Sequence, residues 1–455
     1  MKTKRIGFIA MSGVRAHNEE LTKLGLTLPG FVDRNRIIAS LPSLGLLTLA
    51  GMTPRNRFDV EYHEIADLRK LPELPTDFDL VALSTFTAQF YEACDVAEYY
   101  RSRGVPVVMG GITVSSLVEQ AGEFCTSVVV GEGEPLWPEV LRDLERGCLK
   151  PVYRSSSPGQ YDLRDAPMPR FDLLDSSKYN RLTVQTSRGC PHKCEFCASS
   201  ILLTSRYKLK PVEKVIAEIR EIKRIWPRPF IEFADDNSFV HREHYKRLLR
   251  ELAKERVRWF TEADVRVAED DELLGLIRDS GCQQILIGLE SPRRASLDGV
   301  ELKNNWKVRQ QDYYREAIAK IQSYGITVNG CFILGLDADT PEVFDDALAF
   351  VRESGLYEVQ VTFMTAFPGT PLYHRLKAEG RIIRDKAWEL CTLFDINFTP
   401  KNMSVAQLQN GFLKLVKELY SAEETQTRRR NFKRKLRTSP NFGPQVARLE
   451  HSLAA

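Results

Sequence analysis

The run RGCPHKCEFCASS sets Cys190, Cys194 and Cys197 at C-x3-C-x2-C spacing, directly after the apolar, strand-like segment Leu182–Thr186. Three thiolates so close together can grip three corners of a cuboidal 4Fe-4S cluster, whereas an ordinary cluster of that kind takes four cysteines. One iron is then left without a protein ligand. An open metal position signals chemistry, by the logic that separates catalytic from structural zinc sites. Two other readings stay open on spacing alone: a zinc site that uses His192 or a distant fourth ligand, and an electron-transfer cluster completed by Cys282 or Cys331. The chain has nine cysteines, an odd number that scatters singly outside this run. That is no disulfide framework and fits a reducing, cytoplasmic compartment.

The surrounding pattern is α/β. At 455 residues the chain has room for two or three domains, at roughly 150 residues each. In residues 1–150, apolar runs at Ile6–Met11, Val60–Ile65, Leu80–Ser84, Val105–Met109 and Val128–Val130 alternate with helical stretches. This predicts a five-strand, doubly wound, Rossmann-like domain whose ligand sits beyond the carboxyl ends of the strands. Those ends are rich in small residues: Ser84 and Thr85, Gly110 and Gly111, then Gly131, Glu132 and Gly133. Small residues let a large flat ligand approach the backbone, or simply make tight turns. Residues 151–181 are rich in Ser, Pro and Asp without periodicity and read as a linker.

A second series of βα repeats fills residues 182–375, with strand-like segments ending at Leu182–Thr186, Phe230–Ala234, Arg258–Glu262, Gln284–Gly288, Thr327–Leu334 and Glu358–Thr365. Six repeats predict a partial (β/α)6 barrel with its site at the strands' carboxyl ends. Residues 376–455 read as a mainly helical extension. Its run RRRNFKRKLR, ending at Arg437, carries no acid and either contacts an anionic membrane surface or is a solvated helix face. Composition limits the rest. A net charge of +3, from 64 basic and 61 acidic residues, argues against a nucleic-acid partner. No window approaches 18 uninterrupted apolar residues.

The motif C-x3-C-x-aromatic-C, here Cys190, Cys194, Phe196 and Cys197, resembles that of the radical S-adenosylmethionine (SAM) superfamily, and the repeats after it resemble that family's partial barrel. The resemblance implies that the three cysteines bind the cluster, that SAM chelates the fourth iron, and that backbone near Phe196 meets adenine. Later segments are similar to those that end barrel strands and line the SAM pocket in related enzymes: FADDN at 233–237, TEADVR at 261–266, IGLESP at 287–292, CFILGLDADT at 331–340 and AFPGTPLY at 366–373. They make Glu262, Arg266, Glu290 and Gly335 candidates for SAM contacts. Carboxylates suit ribose hydroxyls and a guanidinium suits a carboxylate, although ordinary surface ion pairs use the same residues. Asp235 and Asp236 either face the substrate, as catalytic candidates, or cap the following helix.

The first domain resembles the cobalamin-binding half of many such enzymes, which makes its small-residue strand ends the expected cofactor contacts. One departure is plain. The D-x-H-x-x-G motif is absent, the corresponding stretch reads MSGVRAHNEEL, and His17 is read as a surface residue. The segment 394–421 is similar to the helical extension of a subgroup that includes hopanoid methylases.

Together these features imply a radical SAM enzyme that cleaves SAM reductively and abstracts hydrogen from an unactivated carbon, with cobalamin-dependent methyl transfer to a small-molecule or lipid-like substrate. It would draw its electron from a flavodoxin or ferredoxin. The alternative is oxidation, cyclisation or rearrangement with a vestigial cobalamin domain. A methylthiotransferase fits less well, because Cys94, Cys125 and Cys148 are far apart in sequence.

Overall fold

The computed structural model describes residues 3–23, 41–157, 159–204 and 206–442. The end of the expected extension, residues 443–455, lies outside them. The chain forms two compact units, the first from residues within 1–27, 34–229 and 365–398, the second mainly from 230–364 and 399–455.

The first unit is built on β1 (Lys4–Met11), β2 (Phe58–Ile65), β3 (Leu80–Thr85), β4 (Val107–Gly110), β5 (Ser127–Val130) and β6 (Val152–Arg154). All pairs are parallel and the order is β2-β1-β3-β4-β5-β6. Ile6 stands opposite both Val60 and Leu80. Six consecutive residues of β1 are buried, as expected of a parallel strand covered on both faces. One covering helix, Leu44–Met52, is capped by Ser43, whose side chain accepts from the Leu46 N–H. A second, Trp137–Arg146, begins with Pro138 in its first turn and stops at the left-handed Gly147. Phe8 and Trp137 meet at 5.5 Å between ring centroids, and the indole N–H donates to Thr53 Oγ1 at 2.9 Å. Burying each such side chain contributes about 1.5–3 kcal/mol.

This sheet has six strands, one more than expected. β6 lies inside the stretch read as a linker; three residues are too few to show an alternating pattern. Tertiary pairing makes the strand, with Val128 opposite Val152 and buried Tyr153 donating to Asp143 at 2.9 Å. The unit also contains β7 (Leu182–Val184), a two-stranded antiparallel ribbon of β8 (Ser187–Arg188) and β9 (Lys208–Leu209), and the helices Val212–Ile225 and Pro371–Ala378.

The second unit holds the parallel strands β10 (Phe230–Phe233), β11 (Arg258–Ala263), β12 (Cys282–Glu290), β13 (Thr327–Leu334) and β14 (Glu358–Phe363), each paired with the next. The described strands form no closed barrel. Their two faces differ. Trp259, Ile285, Val328, Phe332 and Val361 are buried on one face, where Phe332 meets Phe350 of the helix Val343–Ser354 at 5.7 Å. Register puts Glu262, Leu286, Asn329 and Glu358 in one row on the opposite face, and Gly288, Cys331 and Gln360 in the next. A sheet face this polar, in a parallel sheet, marks a surface meant to meet something other than helices.

Beyond residue 371 the chain is less helical than expected. The helix Pro371–Ala378 is separated from the pair Val405–Leu419 and Ala422–Arg437 by residues 379–404, whose only helical turn is the 3-10 turn Trp388–Leu390. Side-chain bonding holds that stretch: Thr392 donates to Asp395 at 2.7 Å, and the same carboxylate accepts from the backbone N–H groups of His17 at 2.8 Å and Asn18 at 2.9 Å. His17 itself is exposed.

Candidate active site

The cysteine run emerges from β8 and is closed by β9, with Arg188 opposite Lys208. Gly189 makes the exit, at φ +90°; a Cβ there would come within 2.4 Å of the Arg206 carbonyl oxygen, so only glycine fits. The loop then turns tightly, with the Cys197 N–H donating to the Cys194 carbonyl at 3.0 Å. Cys194 is buried, Cys190 and Cys197 are half-buried, and none is in a disulfide. Phe196 is half-buried. The loop is pinned through Glu195, whose carboxylate accepts a two-pronged bond from Arg375 (2.7 and 3.1 Å) and whose carbonyl accepts from the Leu372 N–H.

Among the described residues, no three His, Cys, Asp or Glu side chains converge on one point as ligands of a single ion. A tetrahedral zinc with bonds of about 2.3 Å would need sulfurs about 3.8 Å apart. A cuboid asks for a wider set, one cysteine to each of three irons. The spare cysteines are poor thiolates. Burial pushes the Cys282 thiol up, and burial with the negative charges of Glu262 and Glu290 does the same to Cys331. Cys94 and Cys125 are pushed up by burial to about 12 and about 11.

Sequence reasoning missed the charge set behind the loop. Arg188 donates to Glu132 at 2.8 Å and to Glu134 at 2.6 Å, while Lys208 donates to the same Glu132 oxygen at 2.6 Å. The other Glu132 oxygen accepts from the Tyr161 N–H at 3.1 Å. Burial opposes ionisation of Glu132, but the bonds from Lys208 and Arg188 outweigh it and hold the carboxyl below its ordinary value. Glu132, expected as a cofactor contact, thus has both oxygens engaged, one holding the cysteine hairpin and the other the backbone at Tyr161. The signal in the sequence was the Arg directly before Gly189 and two acids in GEGE, but their pairing spans 50 residues and more.

The other expected contacts of the first domain do gather. The strand order reverses between β1 and β3, which opens a crevice at their carboxyl ends. Ser84 and Thr85 close β3, Gly110 closes β4 with Gly111 next, and Gly131 follows β5. Gly131 has φ +84°, and a Cβ on it would meet nothing within 4 Å, so it faces open space. Gly133 is backed by Leu49. At the end of β1, the buried Ser12 hydroxyl has no hydrogen-bond partner among the described residues. A buried hydroxyl left unpaired costs about 1–3 kcal/mol and calls for a ligand or water.

In the second unit, Glu262 projects from the polar face. Water reaches its side chain, yet protein surrounds it closely: burial, then the charges of Glu232, Asp236, Asp235 and Glu290, push its carboxyl up to about 8. Glu290, in the left-handed region at φ 62°, pairs with Lys307 at 2.8 Å. Lys307 also donates to the Gly288 carbonyl at 2.6 Å. Asp235 is buried and accepts from Ser238 at 2.9 Å and Tyr245 at 3.0 Å; Asp236 is half-buried beside Glu262. Arg266 is held by Asp264 at 2.9 Å. Gly335, at φ 94°, donates its N–H to Asp339, which also accepts from Leu336 and fixes that turn. The structure therefore brings Glu262, Glu290, Asp235 and Asp236 into one acidic field, with Lys307 as a cation not anticipated from sequence.

Three cysteines in one loop followed by parallel βα units are the pattern of a radical SAM domain, and residues 184–351 match the radical SAM superfamily, while residues 370–453 match a domain of unknown function, DUF4070. The radical SAM domain implies a 4Fe-4S cluster and SAM as cofactors. The bacteriochlorophyllide d C-12(1)-methyltransferase of Chlorobaculum tepidum is 26% identical over 394 residues, 86% of this chain and 84% of that protein. The hopanoid C-2 methylase of Rhodopseudomonas palustris is 29% identical over 362 residues, 77% and 67% of the two chains. In fold, the chain is similar to the cobalamin-dependent SAM radical enzyme OxsB, with a TM-score of 0.66 and 14% identity over all of this chain and 75% of that one.

Proposed function

We propose that this protein is a cobalamin-dependent radical SAM methyltransferase acting on an unactivated carbon of a small-molecule or lipid-like substrate. The observation that carries the reading is the pairing, in one chain, of a three-cysteine loop with a doubly wound sheet whose strand carboxyl ends, from β3 to β5, are rich in small residues. Relatives named as methyltransferases, and a cobalamin-dependent neighbour in fold, support it. In support of a corrin above the sheet, Gly131 faces open space after β5, and the buried Ser12 hydroxyl after β1 has no partner among the described residues.

Cys190, Cys194 and Cys197 would each hold one iron, and the loop supplies no fourth thiolate. When bound, these cofactors supply an electron to the sulfonium of SAM and a carrier for its methyl group. The chain's own residues orient and screen. Arg266 suits the methionine carboxylate and Glu290 the ribose hydroxyls, with Lys307 fixing the Glu290 carboxylate. Burial and the neighbouring acids push Glu262 up to about 8, which favours a protonated carboxyl able to donate a hydrogen bond. Gly335 is proposed beside SAM, and Asp236 toward the substrate. The reading includes a cytoplasmic setting, a flavodoxin or ferredoxin as electron donor, and contact of the basic C-terminal helix with a membrane surface.

The test is anaerobic reconstitution with iron, sulfide and cobalamin, then turnover of methyl-deuterated SAM under reductant. Label in a product supports methyl transfer; 5′-deoxyadenosine without label points to oxidation or cyclisation. Cys194→Ala is expected to lose most bound iron and to reduce SAM cleavage by more than about 100-fold. Full activity in that variant would sink the assignment.

A further inference from the structure

We propose that Glu132, Glu134, Arg188 and Lys208 form a tuning device for the cysteine loop, tying the turn after β5 to the hairpin that carries Cys190 and setting the electrostatic field in which a cluster on that loop is reduced. The proposal rests on the cluster reading given above. All four side chains are nearly closed off from solvent, their exposures running from 2% for Glu132 to 11% for Arg188 and Lys208. Two carboxylates face two cations, so the set is neutral as it stands. Arg188 and Lys208 sit opposite each other on β8 and β9 and reach the same Glu132 oxygen, so the hairpin cannot slide in register without breaking both bonds.

Buried ion pairs are weak providers of stability; well-packed apolar residues do as well or better. What a buried charge set does that apolar packing cannot is fix a potential in a medium of low dielectric. Reduction potentials of iron-sulfur clusters respond to charge and hydrogen bonding nearby. Arg188 stands two residues from Cys190, with only Gly189 between. The four residues are positioning residues and touch no reacting atom.

The charge count gives the test its sign. Glu134→Gln leaves one uncompensated positive charge and favours the reduced cluster; Arg188→Gln leaves one uncompensated negative charge and disfavours it. Full-length wild type, both single variants and the double variant are reconstituted with iron and sulfide, and iron content and an EPR-monitored redox titration are recorded. The expected result is an upward shift for Glu134→Gln and a downward shift for Arg188→Gln, each about tenfold in the one-electron equilibrium, or ~59 mV, with the neutral double variant back near wild type. If Arg188→Gln does not load, Glu132→Gln replaces it and must move in the same direction as Glu134→Gln. Shifts of the same sign in Glu134→Gln and Arg188→Gln, opposite signs in Glu134→Gln and Glu132→Gln, or no shift at full iron content would overturn the proposal. Wild type that binds no iron overturns the cluster reading first, and this proposal with it.

Discussion

Glu262 shows how a single side chain reports the nature of its surroundings. An ordinary glutamate titrates near 4.3, whereas this one is pushed up to about 8 by burial and four neighbouring acids. A carboxyl whose folded value is raised favours the folded state fully below the unfolded value, and that contribution is lost as pH rises through the folded one. The window is therefore roughly pH 4.3 to 8. Glu262→Gln keeps the neutral form at every pH. We expect its urea midpoint to fall less than that of wild type between pH 6 and 9, with the variant more stable at pH 9 by on the order of 1 kcal/mol, a figure discounted because water reaches the group. Parallel curves would refute the acidic field. At this scale the cysteines, Glu262 and Glu290 were legible, because their types and spacing carry chemistry by themselves. Lys307 was not, since what brings it to Glu290 is the fold and no local pattern.

Among the elements, the helix Ala422–Arg437 has two opposed faces. Arg428, Phe432 and Leu436 are buried, with Phe432 against Tyr357 at 5.0 Å between centroids. Arg430, Lys433, Arg434 and Arg437 follow one another at helical spacing on the exposed side. Arg430 donates to Thr427 and Arg434 to Asn431, both neutral partners. Near an anionic lipid surface each such cation contributes about 1 kcal/mol, and the attraction falls with salt. Co-sedimentation with phosphatidylglycerol vesicles is expected to fall at least about tenfold in the triple variant Arg430→Gln, Lys433→Gln, Arg434→Gln. Equal binding by wild type and variant would leave the stripe as a solvated face. The run itself was plain in the sequence. Which of its residues turn inward was not, because composition marks the stretch only as basic while the fold buries Arg428, whose guanidinium donates to the Leu419 carbonyl at 2.8 Å.

For the whole molecule, hydrophobic periodicity disclosed the α/β class, the parallel sheets and most strands, since long buried strands such as β1 advertise themselves. Short ones did not: β6, β8 and β9 owe their shape to partners distant in sequence. Equally hidden was the way residues 365–398 return to complete the first unit. There Asp395 takes the backbone N–H groups of His17 and Asn18, and Trp388 donates to Gln120 at 3.0 Å. A chain truncated after Met364 is expected to lose protease resistance in its first 229 residues as well as at the cut, which limited trypsin digestion would show. Unchanged resistance there would mean the returning segment is dispensable. That return also bears on how the protein is made. At about 5–20 residues per second, the 378 residues between His17 and Asp395 take roughly 20–75 seconds to translate, so the amino-terminal part of the first unit leaves the ribosome well ahead of the strap that completes it.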